Sequence, residues 1–319
     1  MKKPLIEVNR RVVRTSGSVA LLLSLVASVP TAKAGFSLGD AAQFAVLSQF
    51  ANNQLNFNNG TITGDVGLGS PRQFTISNGS VVGNIRFSGA GNTTGLTPDP
   101  DPGSNPGPFA VSGGGTVSGG VAVNDPFVTS ALNYVNISLS QTLGGEAGTA
   151  LTLTSSQTIN ASSGILDGGG NRVFTTTSVN LNNASILTIN GSASDYVVVN
   201  VTDNNPAFNG SIVLTGGIIS DHVLFNMFGG NYTTHTGGPT LTISPNGQTT
   251  TGTFLDPNGS MQFNHGQLNG RFFGGDVANQ QIVSGASITA PPNIPEPSCL
   301  GLAGLAAVFC LARKRSASR

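Results

Sequence analysis

The residues able to do chemistry in this chain are few and scattered. Asp65, Asp167, Asp195, Asp203, Asp221, Asp256 and Asp276 lie far apart along its middle. Hydrolysis or lysis of a polysaccharide needs two carboxylates, or a base, on one face. None of these seven has a carboxylate beside it in sequence, so folding alone would have to assemble a pair. Each reads more simply as a turn-forming Asp. His222, His235 and His265 show neither i, i+4 nor H-x-H spacing, which gives no support to a zinc site. There is no G-x-S-x-G elbow and no P-loop. Asp203-Asn204-Asn205 offers oxygens to calcium or forms an Asx turn. Asp99 and Asp101, alternating with prolines, pose the same choice between calcium and a solvated loop. No catalytic residue, cofactor or metal ligand is assigned. The expectation is a non-enzymatic protein, with a polysaccharide lyase or hydrolase as the alternative.

Charge narrows the partners. The 319 residues carry 14 Lys plus Arg and 14 Asp plus Glu. Ten of those cations lie in the first 34 and last 28 residues. Between Gly35 and Ala290 only Arg72, Arg86, Arg172 and Arg271 remain, against 12 carboxylates, a balance of −8. Such a body has no electrostatic reason to bind nucleic acid. It would repel anionic polysaccharide or bridge to it through divalent cations. Both cysteines, Cys299 and Cys310, fall near the C-terminus, so the body has no disulfide.

Those residues must be positioned by β-structure of a repetitive kind. Gly60-Thr-Ile62-Thr-Gly64-Asp-Val66 is followed by Gly79-Ser-Val81-Val-Gly83-Asn-Ile85. Gly115-Thr-Val117-Ser-Gly119-Gly-Val121 and Gly266-Gln-Leu268-Asn-Gly270-Arg-Phe272 repeat the phrase. All read G-x-Φ-x-G-x-Φ, where Φ is apolar, and Gly247 opens a looser version. Gly60 to Gly79 and Gly247 to Gly266 are each 19 residues, and Gly79 to Gly115 is 36, near two such steps. A period near 19 suits one coil of a right-handed parallel β-helix. Alternate apolar residues would face inward and stack between coils. A sandwich of hairpins is the competing reading, because N-G also marks hairpin turns.

Other elements fit around this repeat. Gly39 to Leu47 reads as a turn and an apolar strand, or as one helical turn begun by Asp40. Pro98, Pro100, Pro102, Pro106 and Pro108 make 97–108 an exposed loop. Residues 124–143 form the one helix, capped by Asn124 or Asp125, with Pro126 in its first turn. Val128, Leu132, Val135 and Leu139 give it one apolar stripe, and Gly144-Gly145 ends it. It should lie along the solenoid's flank. Strands resume at Ala150, with Tyr196 to Val201 the most apolar. Threonines are frequent at outward positions, as in Leu151-Thr-Leu153-Thr and Thr175-Thr176-Thr177. Flat threonine ladders suit ice or crystalline carbohydrate. These threonines do not recur at the coil period, so ice binding is a minor expectation.

The two ends carry addresses. Lys2, Lys3, Arg10, Arg11 and Arg14 precede an apolar run from Val19 to Val29, and Ala32-Lys33-Ala34 forms an A-x-A site. This predicts a secretory signal peptide over 1–34, cut before Gly35 by signal peptidase. Arg10-Arg11 raises twin-arginine export, against plain Sec export. At the other end Pro295-Glu296-Pro297 precedes an apolar segment from Cys299 to Ala312 and the basic stop Arg313-Lys314-Arg315. The segment falls short of the ~20 residues that span a bilayer comfortably. Over 292–319 the arrangement resembles the PEP-CTERM sorting signal of Gram-negative bacteria that make exopolysaccharide. That resemblance implies an exosortase as partner. It also implies a short transmembrane segment as transient inner-membrane anchor, then release to the cell surface or extracellular matrix.

The body, 35–291, shows a second resemblance. Its helix is followed by Tyr196-Val-Val-Val-Asn200, Val223-Leu-Phe225-Asn226 and Asn264-His-Gly266-Gln-Leu268-Asn-Gly270-Arg. This is similar to the choice-of-anchor A and ice-binding-like adhesin domains of bacterial surface proteins. Phe225 stands where that pattern has tryptophan, and Asp256-Pro257 where it has alanine-proline. The resemblance implies a β-helix flanked by a helix and a structural or adhesive role in the exopolysaccharide matrix or biofilm.

Overall fold

The computed structural model describes residues 35–49, 54–69, 73–89, 109–275 and 280–292. Almost every strand pairing in them is parallel, and the exception is a two-residue antiparallel contact of Ile165–Leu166 with Asn171–Leu181. The chain therefore winds in coils, as the repeated phrase predicts, and hairpins play no comparable part.

Each coil contributes to three sides. The first side runs through Thr149–Leu153, Asn171–Leu181, Tyr196–Val201, Val223–Met227, Thr249–Asp256 and Gln267–Gly274. It continues without a break into Phe44–Ser48, Asp65–Leu68, Ile85–Phe87 and Val121–Ala122. Spatial order thus departs from chain order. The first coil of the body sits in mid-stack, beside the last. The chain winds from there to one end, returns through a helical segment, and winds back from the other end. Gln54–Asn58 likewise pairs with Gln280–Val283, and Thr61–Thr63 with Ser287–Thr289. The two half-stacks meet at this seam through ladder hydrogen bonds and through the shared apolar core, where Val46 stacks on Phe272 and Ile62 on Ile288.

The 36-residue step from Gly79 to Gly115 is a correction to the sequence reading. Ser80 pairs directly with Thr116, so this is one coil, lengthened by the proline-rich insertion. A fifth copy of the phrase, Ala286-Ser-Ile288-Thr-Ala290, has alanine at both glycine positions. Its Ile288 lies between Leu268 and Ile62. Tight coil contact explains why glycine stands at the other corners. A Cβ on Gly83 would strike the carbonyl of Gly64, and one on Gly119 the carbonyl of Gly83.

The interior is a set of stacked columns. One reads Phe174, Val199, Phe225, Phe254, Phe272, Val46, Val66, Ile85, nearly all with no exposure. The Phe225 and Phe254 rings stack at 4.9 Å, with Phe208 edge-on to both. Each such side chain contributes about 1.5–3 kcal/mol by leaving water. With no disulfide in the body, these columns and the ladders hold the fold.

The return segment is α1 (Pro126–Asn133), a π-helical stretch Tyr134–Leu139, and α2 (Ser140–Gly144). Asp125 caps it, accepting from the Phe127 N–H at 2.9 Å. Val128, Leu132, Val135 and Leu139 are buried as the stripe requires. The helix covers Leu47, Val198, Leu224, Leu255 and Phe273 on the first side. Beneath it the side chains of Asn200 and Asn226 form a buried ladder. The Asn226 amide donates to Asn200 Oδ1 at 2.9 Å and to the Ser140 carbonyl at 3.0 Å, while Asn200 donates to the Leu143 carbonyl at 2.6 Å. Among the described residues no helix is long and apolar enough to cross a membrane. The expected signal peptide and transmembrane segment lie outside them.

Candidate functional site: the uncharged sides

The candidate catalytic groups are occupied structurally. Asp65 pairs with Arg86 at 2.8 Å and accepts from the Asn84 backbone at 2.8 Å and side chain at 3.0 Å. Asp125 also approaches Arg86, at 3.7 Å. These two carboxylates do converge, but around a guanidinium that neutralises one of them. Asp167 accepts from the Gly169 and Asn171 N–H groups. Asp203 accepts from those of Val179 and Asn205, which makes it the Asx turn of the two alternatives. Asp195 accepts from the backbone N–H and the hydroxyl of Ser192, and these hold its carboxyl below the usual range. Asp256 is fully buried and accepts from the Gly259 N–H at 2.8 Å. Asp276 lies outside the described residues, as do Asp99 and Asp101.

Arg271 is the most buried cation. Its guanidinium donates to both oxygens of Asp221, at 3.0 and 3.2 Å, and to the Phe44 carbonyl at 2.6 Å. It therefore ties the last coils to the first. The histidines stay apart. His222 stacks on Tyr196 at 3.8 Å, and partial burial lowers its pKa. His235 Nδ1 faces Asn258 Oδ1 at 3.3 Å. Among the described residues no three His, Cys, Asp or Glu side chains are grouped to hold a metal ion. Of the targeting residues, Ala32, Ala34, Pro295, Glu296, Pro297, Arg313, Lys314 and Arg315 lie outside the described set. Gly35 is its first residue and packs so tightly on the Tyr196 ring that a Cβ would not fit.

What remains accessible is broad and without charge. The second side consists of Ala207–Phe208, Thr240–Ile243, Ser260–Asn264, Gln280–Val283, Gln54–Asn58, Gln73–Ser77 and Phe109–Ser112. Its outward residues include Thr242, Gln262, Gln281, Asn56 and Thr75. The Gln262 amide donates to Gln281 at 3.0 Å, and Ser260 to Thr240 at 3.4 Å. The third side consists of 249–251, 267–269, Ser287–Thr289, Thr61–Thr63, Ser80–Val82 and Thr116–Val117. A separate sheet, Gln157–Asn160, Ile186–Asn190 and Ser211–Thr215, takes the same place in earlier coils. No Asp, Glu, Lys or Arg occurs in any of these segments.

Threonines other than those singled out in the sequence line the third side, and there two of them, Thr289 and Thr63, do pair directly. In the middle of each phrase Φ points inward and the flanking residues point outward. One outward row reads Thr249, Gln267, Ser287, Thr61, Ser80, Thr116. The other reads Thr251, Asn269, Thr289, Thr63, Val82. Thr289 and Thr63 are 226 residues apart and in direct register. Recurrence in space was invisible in chain order because the seam brings the two ends of the body together.

These features can be set beside known proteins. A family profile described as an ice-binding-like adhesive domain matches residues 35–284. The chain belongs to the ice-binding-like adhesive domain family. Among solved structures, the ice-binding protein LeIBP from an Arctic yeast aligns over 83% of this chain and 97% of its own, with 16% identity and a TM-score of 0.51. One from the Antarctic ascomycete Antarctomyces psychrotrophicus aligns over 81% and 98%, with 16% identity and a TM-score of 0.47. The DUF3494 domain of Shewanella frigidimarina ice-binding protein_1 covers 80% and 97%, with 13% identity and a TM-score of 0.46. At such identities the likeness to the yeast protein speaks for the fold alone. A comparison with curated proteins found no match. Family membership agrees with a surface, adhesive protein and is compatible with a non-enzyme.

Proposed function

We propose that this chain is an exported, exosortase-sorted protein of the cell surface or extracellular matrix of a Gram-negative bacterium, with a structural or adhesive role linked to exopolysaccharide. Membership of an adhesive-domain family carries the adhesive part of this reading. Two uncharged sides of a rigid solenoid support it, because they offer area where an enzyme would need a polar cleft. The route to the surface rests on sequence. Ala32-Lys33-Ala34 directs signal peptidase to leave Gly35 as the mature N-terminus. Pro295-Glu296-Pro297, the short apolar segment and Arg313-Lys314-Arg315 hold the precursor transiently in the inner membrane for an exosortase.

Replacing Pro295-Glu296-Pro297 with alanines tests the sorting step. The variant should accumulate in the inner membrane as an uncleaved precursor, as should the wild type in an exosortase-deletion strain. Normal arrival at the surface in either case would sink the sorting claim. Ice binding is the second reading, and one observation favours it: six of the eleven outward residues in the two rows of the third side are threonines, with Thr289 and Thr63 in direct register. The polysaccharide-active enzyme has no such support, since Asp65, Asp167, Asp195, Asp203, Asp221 and Asp256 are taken up by backbone N–H groups or by arginines.

A further inference from the structure

From the register of the third side we infer that its outward rows form a binding surface for a neutral, extended, β-linked polysaccharide. This rests on the adhesive reading above and names the ligand class and the side that takes it. Three observations point there. The first is charge. The body carries a balance of −8 between Gly35 and Ala290, yet no charged residue lies in the third-side strands. An anionic polymer would find no cation on that surface, and a polymer without charge has none to desolvate.

The second is spacing. Neighbouring strands lie about 4.8 Å apart, and alternate residues along a parallel strand about 6.6 Å apart. The six strands thus present one row over about 24 Å and a second, of five residues, over about 19 Å. An extended sugar chain laid across the strands meets both rows at every coil it crosses. Its hydroxyls can therefore meet side chains on several successive coils.

The third is hydrogen-bonding capacity. Thr63, Thr251 and Thr289 make no side-chain hydrogen bond among the described residues, and Thr63 and Thr289 are exposed. Each hydroxyl can donate once and accept twice. In the first row Thr116 donates to Ser80 at 3.0 Å and Thr249 to Gln267 at 3.5 Å, much as Gln262 does to Gln281 on the second side, so the free capacity lies in the second row of the third side. Mixed side chains in the rows, with Val82 and Asn269 among threonines, suit sugar hydroxyls of both polarities better than the uniform lattice of ice. The surface also crosses the seam, Thr289 belonging to the last coil and Thr63 to the first. It is complete only when both half-stacks are docked.

The test uses the full chain, purified in mild detergent, in pull-downs on microcrystalline cellulose, chitin powder, alginate beads and ice. We expect retention on cellulose or chitin, unchanged by added salt, and little on alginate. The double variant T63R/T289R should lose at least tenfold in retention, and Q281R on the second side should behave as wild type. T63V/T289V keeps strand-compatible side chains and removes only the hydroxyls. It should lose retention while melting as wild type does, which separates lost contacts from lost folding. Binding to ice or alginate alone would overturn the inference, as would full retention by T63V/T289V or an equal loss in Q281R. A protein found at the cell surface that binds neither powder sinks this inference and leaves the surface reading intact. One that binds the powders but is never exported does the reverse.

Discussion

At the scale of single residues, alternation along a strand was legible and corner chemistry was not. Ile62, Val66, Val81 and Ile85 all face inward with no exposure, and Ile62 pairs with Val81 as Val66 does with Ile85. Simple alternation would make Asn84 a free corner residue. Instead its side chain donates to Asp65 at 3.0 Å and accepts from the Gly120 N–H at 3.0 Å, bridging three coils. Nothing in a local pattern tells which group lies one coil away. Ile85→Asp should cost upwards of about 4 kcal/mol, because it adds an unpaired buried carboxylate to a lost apolar contact. Asn84→Asp should cost roughly 1–2 kcal/mol, since it loses a donor and faces Asp65 with a second carboxylate. Chemical denaturation of both variants checks the order, and equal losses would refute the inward register.

His222 gives a pH signature at the same scale. Partial burial against Tyr196 lowers its folded pKa below the ordinary 6.5, while nearby Asp221 pulls the other way. The unfolded chain then binds the proton more readily than the folded one. Stability should fall as pH drops below about 6.5 and go on falling until the lowered folded pKa is passed. Asp195, also lowered, acts in a separate window, from its ordinary 3.8 downwards. Urea unfolding of wild type and His222→Gln between pH 7.5 and 5 should show a smaller acid-side loss in the variant. Parallel slopes would mean that His222 does not titrate on unfolding.

At the scale of elements, the sequence showed what periodicity can show. The helix and its stripe were readable, and its cap was narrowed to Asn124 or Asp125, because each depends on neighbours within four residues. The Asn200–Asn226 ladder beneath the helix was not, because its side chains come from strands 57 and 86 residues after their helix partners. The repeated phrase was readable wherever glycine stood at both corners. It was missed at Ala286–Ala290, where alanine fits, and misjudged at Gly115, where an insertion lengthens one coil. The ladder makes its own prediction. Asn226→Leu would remove the donor to Ser140 and Asn200 and the acceptor for the Ser140 hydroxyl. Leaving those groups buried and unpaired should cost about 2–4 kcal/mol. Hydrogen exchange should place the change at Pro126–Gly144 and the strands under it. A loss under about 0.5 kcal/mol would show that apolar packing alone docks the helix.

At the scale of the whole body, the decisive feature is the seam, and no local signal announces it. Every coil looks alike to a pattern search, so the sequence cannot say that the first coil docks on the last. Elsewhere adjacent coils are consecutive in the chain or nearly so. At the seam their pairing joins residues more than 200 apart, such as Val46 with Phe272 and Ile62 with Ile288. Closing so long a loop adds an entropic cost that grows slowly with length. Arg271 helps to offset it, since its guanidinium reaches Asp221, the Phe44 carbonyl of the first coil and the Pro291 carbonyl after the last. In Arg271→Gln, Asp221 loses its cation and these links are weakened, a change of the kind that costs about 3–5 kcal/mol for buried pairs. The loss should not be uniform. Amides of Phe44–Ser48, Gln54–Asn58 and Ser287–Thr289 should exchange through an opening of the seam. Those of Tyr196–Val201 and Val223–Met227, deep in one half-stack, should keep their protection relative to global unfolding. Native-state hydrogen exchange on wild type and variant measures both sets at once. If all five strands lose protection together, the two half-stacks form one cooperative unit, and the seam is not where the body comes apart.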